Sequence, residues 1–143
     1  DDESFVLVVE TGNYRVLRFW LAGQNSGKAE VFIDNLPGFP DGISRGTSGR
    51  FWLAIASPRD PLVDFALPRP WLRKVMARLP RFMQPGPKRH AFVLGLSDEG
   101  HVVANLQHDA KSSFSPVTSD EEYDGYLYLG SLTEKTLARY ELK

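Results

Sequence analysis

Cysteine is absent from these 143 residues. That removes a disulfide framework, a thiolate nucleophile and any Cys-type zinc site, and it leaves the compartment open. No apolar run approaches the ~18–20 residues of a membrane span, and no signal peptide opens the chain. An initiating Met is missing too. The chain starts on Asp1-Asp2-Glu3 directly before a strand, which reads as a piece excised from a longer protein. Net charge is only −1, and no aromatic-studded basic strand occurs, so no nucleic-acid partner is expected. What is present suffices for a core: 42% hydrophobic residues, with three Trp, nine Phe and five Tyr.

The organising signal is repetition. Gly49-Arg50-Phe51-Trp52-Leu53-Ala54 recurs as Gly125-Tyr126-Leu127-Tyr128-Leu129-Gly130, and a weaker copy is Ser4-Phe5-Val6-Leu7-Val8-Val9. Ser4 to Arg50 is 46 residues and Arg50 to Tyr126 is 76; the excess of 30 is an insertion, about 58–88. Turn-strand units repeating every ~40–50 residues mark β-propeller blades. The expected strands are Phe5–Glu10, Arg15–Leu21 and Ala29–Asn35, then Asp41–Arg45, Arg50–Ser57, His90–Ser97 and His101–Gln107. Pro116–Tyr123, Tyr126–Leu132 and Thr136–Leu142 follow. With blade strands lettered A to D, the order is B-C-D, A-B-C-D, A-B-C. The fold class is therefore all-β, a partial propeller of about three four-stranded blades with one short helical insertion. Its unpaired edges are expected to drive self-association of the chain on its own.

The insertion carries the one expected helix. Trp71, Leu72, Val75, Met76 and Leu79 share a face, with Arg73, Lys74, Ala77 and Arg78 opposite, between Pro70 and Pro80. Either the apolar face packs on the propeller rim, or the helix is a lid or a membrane-surface contact through Arg73, Lys74 and Arg78. Between Phe65 and Ser97 there is no acidic residue, while Arg69, Arg73, Lys74, Arg78, Arg81, Lys88 and Arg89 all lie there.

Phe39-Pro40-Asp41-Gly42-Ile43 is the motif richest in chemistry. Pro40 stiffens the approach, Gly42 permits an unusual backbone angle, and Asp41 begins a first strand, which in a propeller lines the channel. A carboxylate there suits a hard cation such as calcium, which gathers oxygen ligands from several strands; the alternative is an Asp capping a tight turn. Glu10 would face the channel or solvent. Asp120, Glu121 and Glu122 read as a solvated acidic edge on which Glu121 and Tyr123 share one face and Asp120 and Glu122 the other. Asp124 is the turn residue of its hairpin. His90, His101 and His108 match no metal spacing. Ser113, Ser115 and Thr118 have no evident base partner, and no G-x-S-x-G elbow exists.

Val8-Val9-Glu10-Thr11-Gly12-Asn13-Tyr14-Arg15-Val16-Leu17-Arg18-Phe19-Trp20-Leu21 and Leu36-Pro37-Gly38-Phe39-Pro40-Asp41-Gly42-Ile43 resemble the strictosidine synthase-like proteins. The resemblance is strongest to the branch typified by adipocyte plasma membrane-associated protein. Pro70-Trp71-Leu72-Arg73-Lys74 and Tyr126-Leu127-Tyr128-Leu129-Gly130-Ser131-Leu132 fit the same branch. The resemblance spans essentially the whole chain. It implies that residues 1–143 are the C-terminal half of a six-bladed propeller, in the superfamily of paraoxonases, gluconolactonases and senescence marker protein. It also implies a metal role for Asp41, because gluconolactonases place a metal-binding Asp in a Pro-Asp-Gly motif like Pro40-Asp41-Gly42. Paraoxonases have Asp-Asn there, and Gly42 departs from that version. The remaining ligands, a Glu and an Asn, would lie upstream. True strictosidine synthases carry a catalytic Glu where this chain has Thr118, so their condensation is not expected. Three readings follow: a calcium-dependent lactonase or arylesterase-type hydrolase when intact, a Pictet–Spengler-type lyase or synthase, or a non-catalytic propeller binding a ligand or partner. On its own the chain is expected to be inactive.

Overall fold

The computed structural model describes residues 4–80 and 89–142. The opening acidic turn at 1–3 and the end of the insertion, with Arg81 and Lys88, lie outside the described residues. Across the described residues the chain forms β1 (Phe5–Glu10), β2 (Arg15–Trp20), β3 (Ala29–Ile33), β4 (Gly38–Arg45) and β5 (Phe51–Pro58). It continues as α1 (Pro61–Ala66), α2 (Pro70–Arg78), β6 (Ala91–Leu96), β7 (Val102–His108), β8 (Ser119–Tyr123), β9 (Tyr126–Gly130) and β10 (Ala138–Glu141). These strands make three antiparallel sheets, β1-β2-β3, β4-β5-β6-β7 and β8-β9-β10. The fold is a partial β-propeller, and its three-, four- and three-stranded sheets follow the order read from the repeats.

The sheets stack because the middle one is apolar on both faces. In β5, Phe51, Leu53 and Ile55 point to the first sheet, where they join Tyr14, Val16, Phe32 and Leu36. Trp52 and Ala54 point the other way and join Val93, Val117 and Leu127. Successive strand residues face opposite sides, so a run buried on both faces must read as continuously hydrophobic. All five residues from Phe51 to Ile55 are buried. Inner strand β4 lies against β8 of the next sheet and β1 of the previous one.

Two features differ from expectation. The insertion holds two helices rather than one. Asp60 caps α1 by accepting the Leu62 amide at 2.9 Å, and Pro61 takes the first helical turn. The apolar face of α2 does not bury on the sheets: no residue of α2 is buried, and Trp71 and Val75 are exposed. It is α1 that docks, through buried Ala66 and the Tyr14 hydroxyl, which donates to Asp64 Oδ1 at 2.5 Å. Arg59 completes this joint, stacking 4.0 Å over the Tyr14 ring and donating to Asn35 Oδ1 at 2.7 Å.

Candidate functional site

β4 begins three residues before Asp41, at Gly38, and Asp41 sits on a defect in its ladder. Pro40 pairs with Ile55 and the next pair is Ile43 with Leu53, so Asp41 and Gly42 together oppose Ala54. Two residues against one is a β-bulge, a feature that re-aims a side chain at sheet edges. Pro40 is tolerated inside the strand because the ladder is broken there. Pro40 is buried and Asp41 is exposed. Among the described residues nothing hydrogen-bonds to the Asp41 carboxylate, which leaves both oxygens available as hard donors.

Gly42 has a different reason from the one expected. Its φ is not in the left-handed region. The backbone of β8 crosses so close that an added Cβ would stand 2.6 Å from the Thr118 carbonyl oxygen and 3.0 Å from the Ser119 Cα. Close approach of two main chains requires glycine here, and an Asn at this position is sterically barred.

The contact continues along both strands. Ser44 Oγ donates to Asp120 Oδ1 at 2.8 Å. Thr47 Oγ1 and Trp52 Nε1 donate to the two oxygens of Glu122, the latter at 2.5 Å. The alternation expected for the acidic run therefore holds, but its setting is corrected. Asp120 and Glu122 are not on a solvated edge: they stitch β8 to β4 and β5. Asp120 is only 7% exposed, and its Oδ2 has no hydrogen-bond partner among the described residues. Burial lifts its pKa from 3.8 to about 7, against the Ser44 hydroxyl and the Ala54 amide, which favour the charged form. Its partner Ser44 follows the bulge by two residues, so Asp120 tethers the strand that presents Asp41. For Glu122, desolvation pushes upward, yet hydrogen bonds from Thr47 and Trp52 hold the carboxyl below its ordinary range.

Other candidates resolve as structural parts. Glu10 pairs with Arg15 across the β1–β2 ladder, and the hydrogen bond from Arg15 lowers its pKa. Asp124 and Gly125 both have positive φ, at 48° and 76°, as a tight hairpin turn requires. The histidines stay dispersed: His90 meets Gln107 at 2.9 Å, and His108 Nδ1 lies 3.1 Å from Ser113 Oγ. That last contact corrects the expectation that Ser113 lacks a base nearby. Ser113 is nonetheless buried, and its hydroxyl is positioned to donate to the His108 and Ala110 carbonyls at 2.8 and 2.6 Å. It closes a turn and offers no exposed nucleophile.

A pocket of about 450 Å³ lies away from Asp41, lined by β6, β7, β9 and β10 residues such as Phe92, Leu106 and Tyr140. It follows the outer strands, and none of its described lining residues is a carboxylate. A second, of about 310 Å³, opens between β1 and β4 and reaches Ile43 and Ser44 just past the bulge. Among the described residues no three His, Asp or Glu side chains converge on one metal position.

No protein-family model matches the chain. Known proteins do. Protein strictosidine synthase-like 10 of Arabidopsis thaliana is 38% identical over 99% of this chain and 39% of its own length. Adipocyte plasma membrane-associated protein of Bos taurus is 38% identical over 98% of this chain and 35% of its own length. The Homo sapiens protein of the same name is 35% identical over 99% of this chain and 35% of its own length. This is a strictosidine synthase-like chain. It spans little more than a third of the curated relatives it matches. Some of these strictosidine synthase-like relatives are named for a membrane; in the present chain no described helix is long and apolar enough to cross one.

Proposed function

We propose that the intact protein is a metal-dependent hydrolase of lactones or aryl esters, with calcium the expected cation and Asp41 one of its ligands. The bulge carries this reading. It exposes, within an inner strand, a carboxylate with no hydrogen-bond partner among the described residues, and the β4–β8 stitching fixes its backbone. The donor is of the right kind, since calcium is held by carboxylate and carbonyl oxygens. The other ligands would come from the rest of the protein. When bound, such a cation polarises a carbonyl and lowers the pKa of an attacking water. The part of this chain is narrower: Asp41 offers carboxylate oxygens at the bulge, while Gly42, Ser44 and Asp120 keep its strand in place. Chelation should abolish turnover, and added calcium should restore it.

A second reading draws on Asp120. A buried carboxyl with a pKa of about 7 is poised for proton transfer near neutrality, as a Pictet–Spengler-type enzyme requires, although Thr118 stands where the family's catalytic Glu would be. Turnover that survives chelation but is lost in Asp120→Asn would favour it over the hydrolase.

We also propose that the 143-residue chain expressed alone associates through its sheet edges. β1 ends the first sheet with Val6 and Val8 exposed, and β10 ends the last with Tyr140 exposed. Light scattering should report dimers or larger species; a monodisperse monomer would contradict this.

A further inference from the structure

The α1–α2 hairpin presents to solvent what a core would ordinarily hide. Leu62 and Phe65 of α1 and Trp71 and Val75 of α2 are each about half exposed or more, with Trp71 at 65%. Trp71 and Val75 stand one turn apart on one stripe of α2, and Lys74 and Arg78 occupy the adjacent stripe. Arg73 is exposed farther round the helix, past Lys74 and away from Trp71.

α2 carries charge of one sign, with no acid between Pro70 and Arg78. The two acids of the preceding segment are partly exposed but engaged. Asp60 accepts the Leu62 amide as the cap of α1, while Asp64 accepts the Tyr14 hydroxyl and pairs with Arg59 at 3.5 Å. No acid follows until after Ser97. The hairpin is also braced as a unit, because Arg69 stacks 3.9 Å over the Phe65 ring and donates to the Phe65 carbonyl at 2.5 Å.

We propose that this hairpin docks the protein onto an anionic lipid bilayer, with Trp71, Val75, Phe65 and Leu62 entering the headgroup boundary and Arg73, Lys74 and Arg78 meeting lipid phosphates and carboxylates. An amphipathic helix with an aromatic on one face and cations beside it lies in the interface plane in this way. The hairpin follows Pro58, which pairs with Gly38 three residues before Asp41. Docking therefore brings the Gly38 end of β4, three residues from Asp41, toward the membrane, where amphipathic molecules are concentrated. The inference stands whether or not the hydrolase reading does.

The test uses the intact protein with vesicles of phosphatidylcholine alone or mixed with phosphatidylserine. Cosedimentation should occur with the mixed vesicles, weaken in high salt, and be accompanied by a blue shift in tryptophan emission that Trp71→Phe removes. Replacing Arg73, Lys74 and Arg78 together by Glu should lower binding roughly tenfold or more, since juxtamembrane cations act additively near an anionic surface. All three are exposed, so the variant keeps the fold. Equal binding to both vesicle types would overturn the proposal, as would no binding, or undiminished binding by the Glu variant. Binding of an acidic protein in preference to lipid would likewise overturn it.

Discussion

Gly42→Ala is expected to cost about 3 kcal/mol of stability, at the upper end of what overpacking produces. The new methyl would sit 2.6 Å from the Thr118 carbonyl oxygen and 3.0 Å from the Ser119 Cα. Both obstacles are main chain, so no rotamer change relieves them. Either β8 moves away from β4 or the bulge flattens, and each outcome strains the Ser44–Asp120 and Thr47–Glu122 hydrogen bonds. Gly12→Ala is the control, because nothing lies within 4 Å of its added Cβ and its φ is not positive. It should shift the denaturation midpoint by less than about 0.5 kcal/mol equivalent. Urea unfolding of the intact protein measures both. Equal stability of the two variants would mean that β4 and β8 do not approach as described.

Asp120→Asn should change how stability depends on pH. Burial raises the folded-state pKa of Asp120 from 3.8 to about 7. Between those limits the folded protein holds a proton that the unfolded chain has lost. Stability from this group is therefore fully present below about pH 4 and falls as pH rises through about 7. At ~1.4 kcal/mol per pKa unit, the loss amounts to up to roughly 4 kcal/mol by mildly alkaline pH. Asn keeps the shape and cannot ionise, so the variant should be flatter between about pH 5 and 8 and more stable than its parent at the alkaline end. Glu122 works in the opposite sense, because its lowered pKa adds stability that is lost on acidification. The difference between variant and parent isolates Asp120. Parallel pH profiles would contradict the burial of its carboxyl.

The architecture was readable because β5 and its repeats carry unbroken apolar runs between turn signals, and such runs have few other homes than a strand covered on both faces. α1 escaped notice although its start signal, Asp60-Pro61, was present: six residues are too short for helical periodicity to stand out. The bulge at Asp41 was not legible either. Asp-Gly reads as a turn anywhere, and only the pairing with Ala54 shows that it interrupts a ladder. Asp120 is the sharpest case. An Asp-Glu-Glu run signals solvent in one dimension, and its burial exists only once β8 lies against a strand 76 positions earlier, at Ser44. Gly42 was marked by sequence for backbone freedom, whereas the fold uses its lack of a side chain.

The measurement closest to the central claim is lactone and aryl-ester hydrolysis by the intact protein, with and without calcium, beside its Asp41→Ala variant. The account predicts calcium-dependent turnover in the parent and a loss of roughly 100-fold or more in a variant that still folds, since even outer-shell partners of a metal are worth 10–100-fold. Calcium-dependent turnover undiminished in Asp41→Ala would contradict the assignment of Asp41. No turnover from either protein, with no effect of calcium on thermal stability, would contradict the metal site altogether.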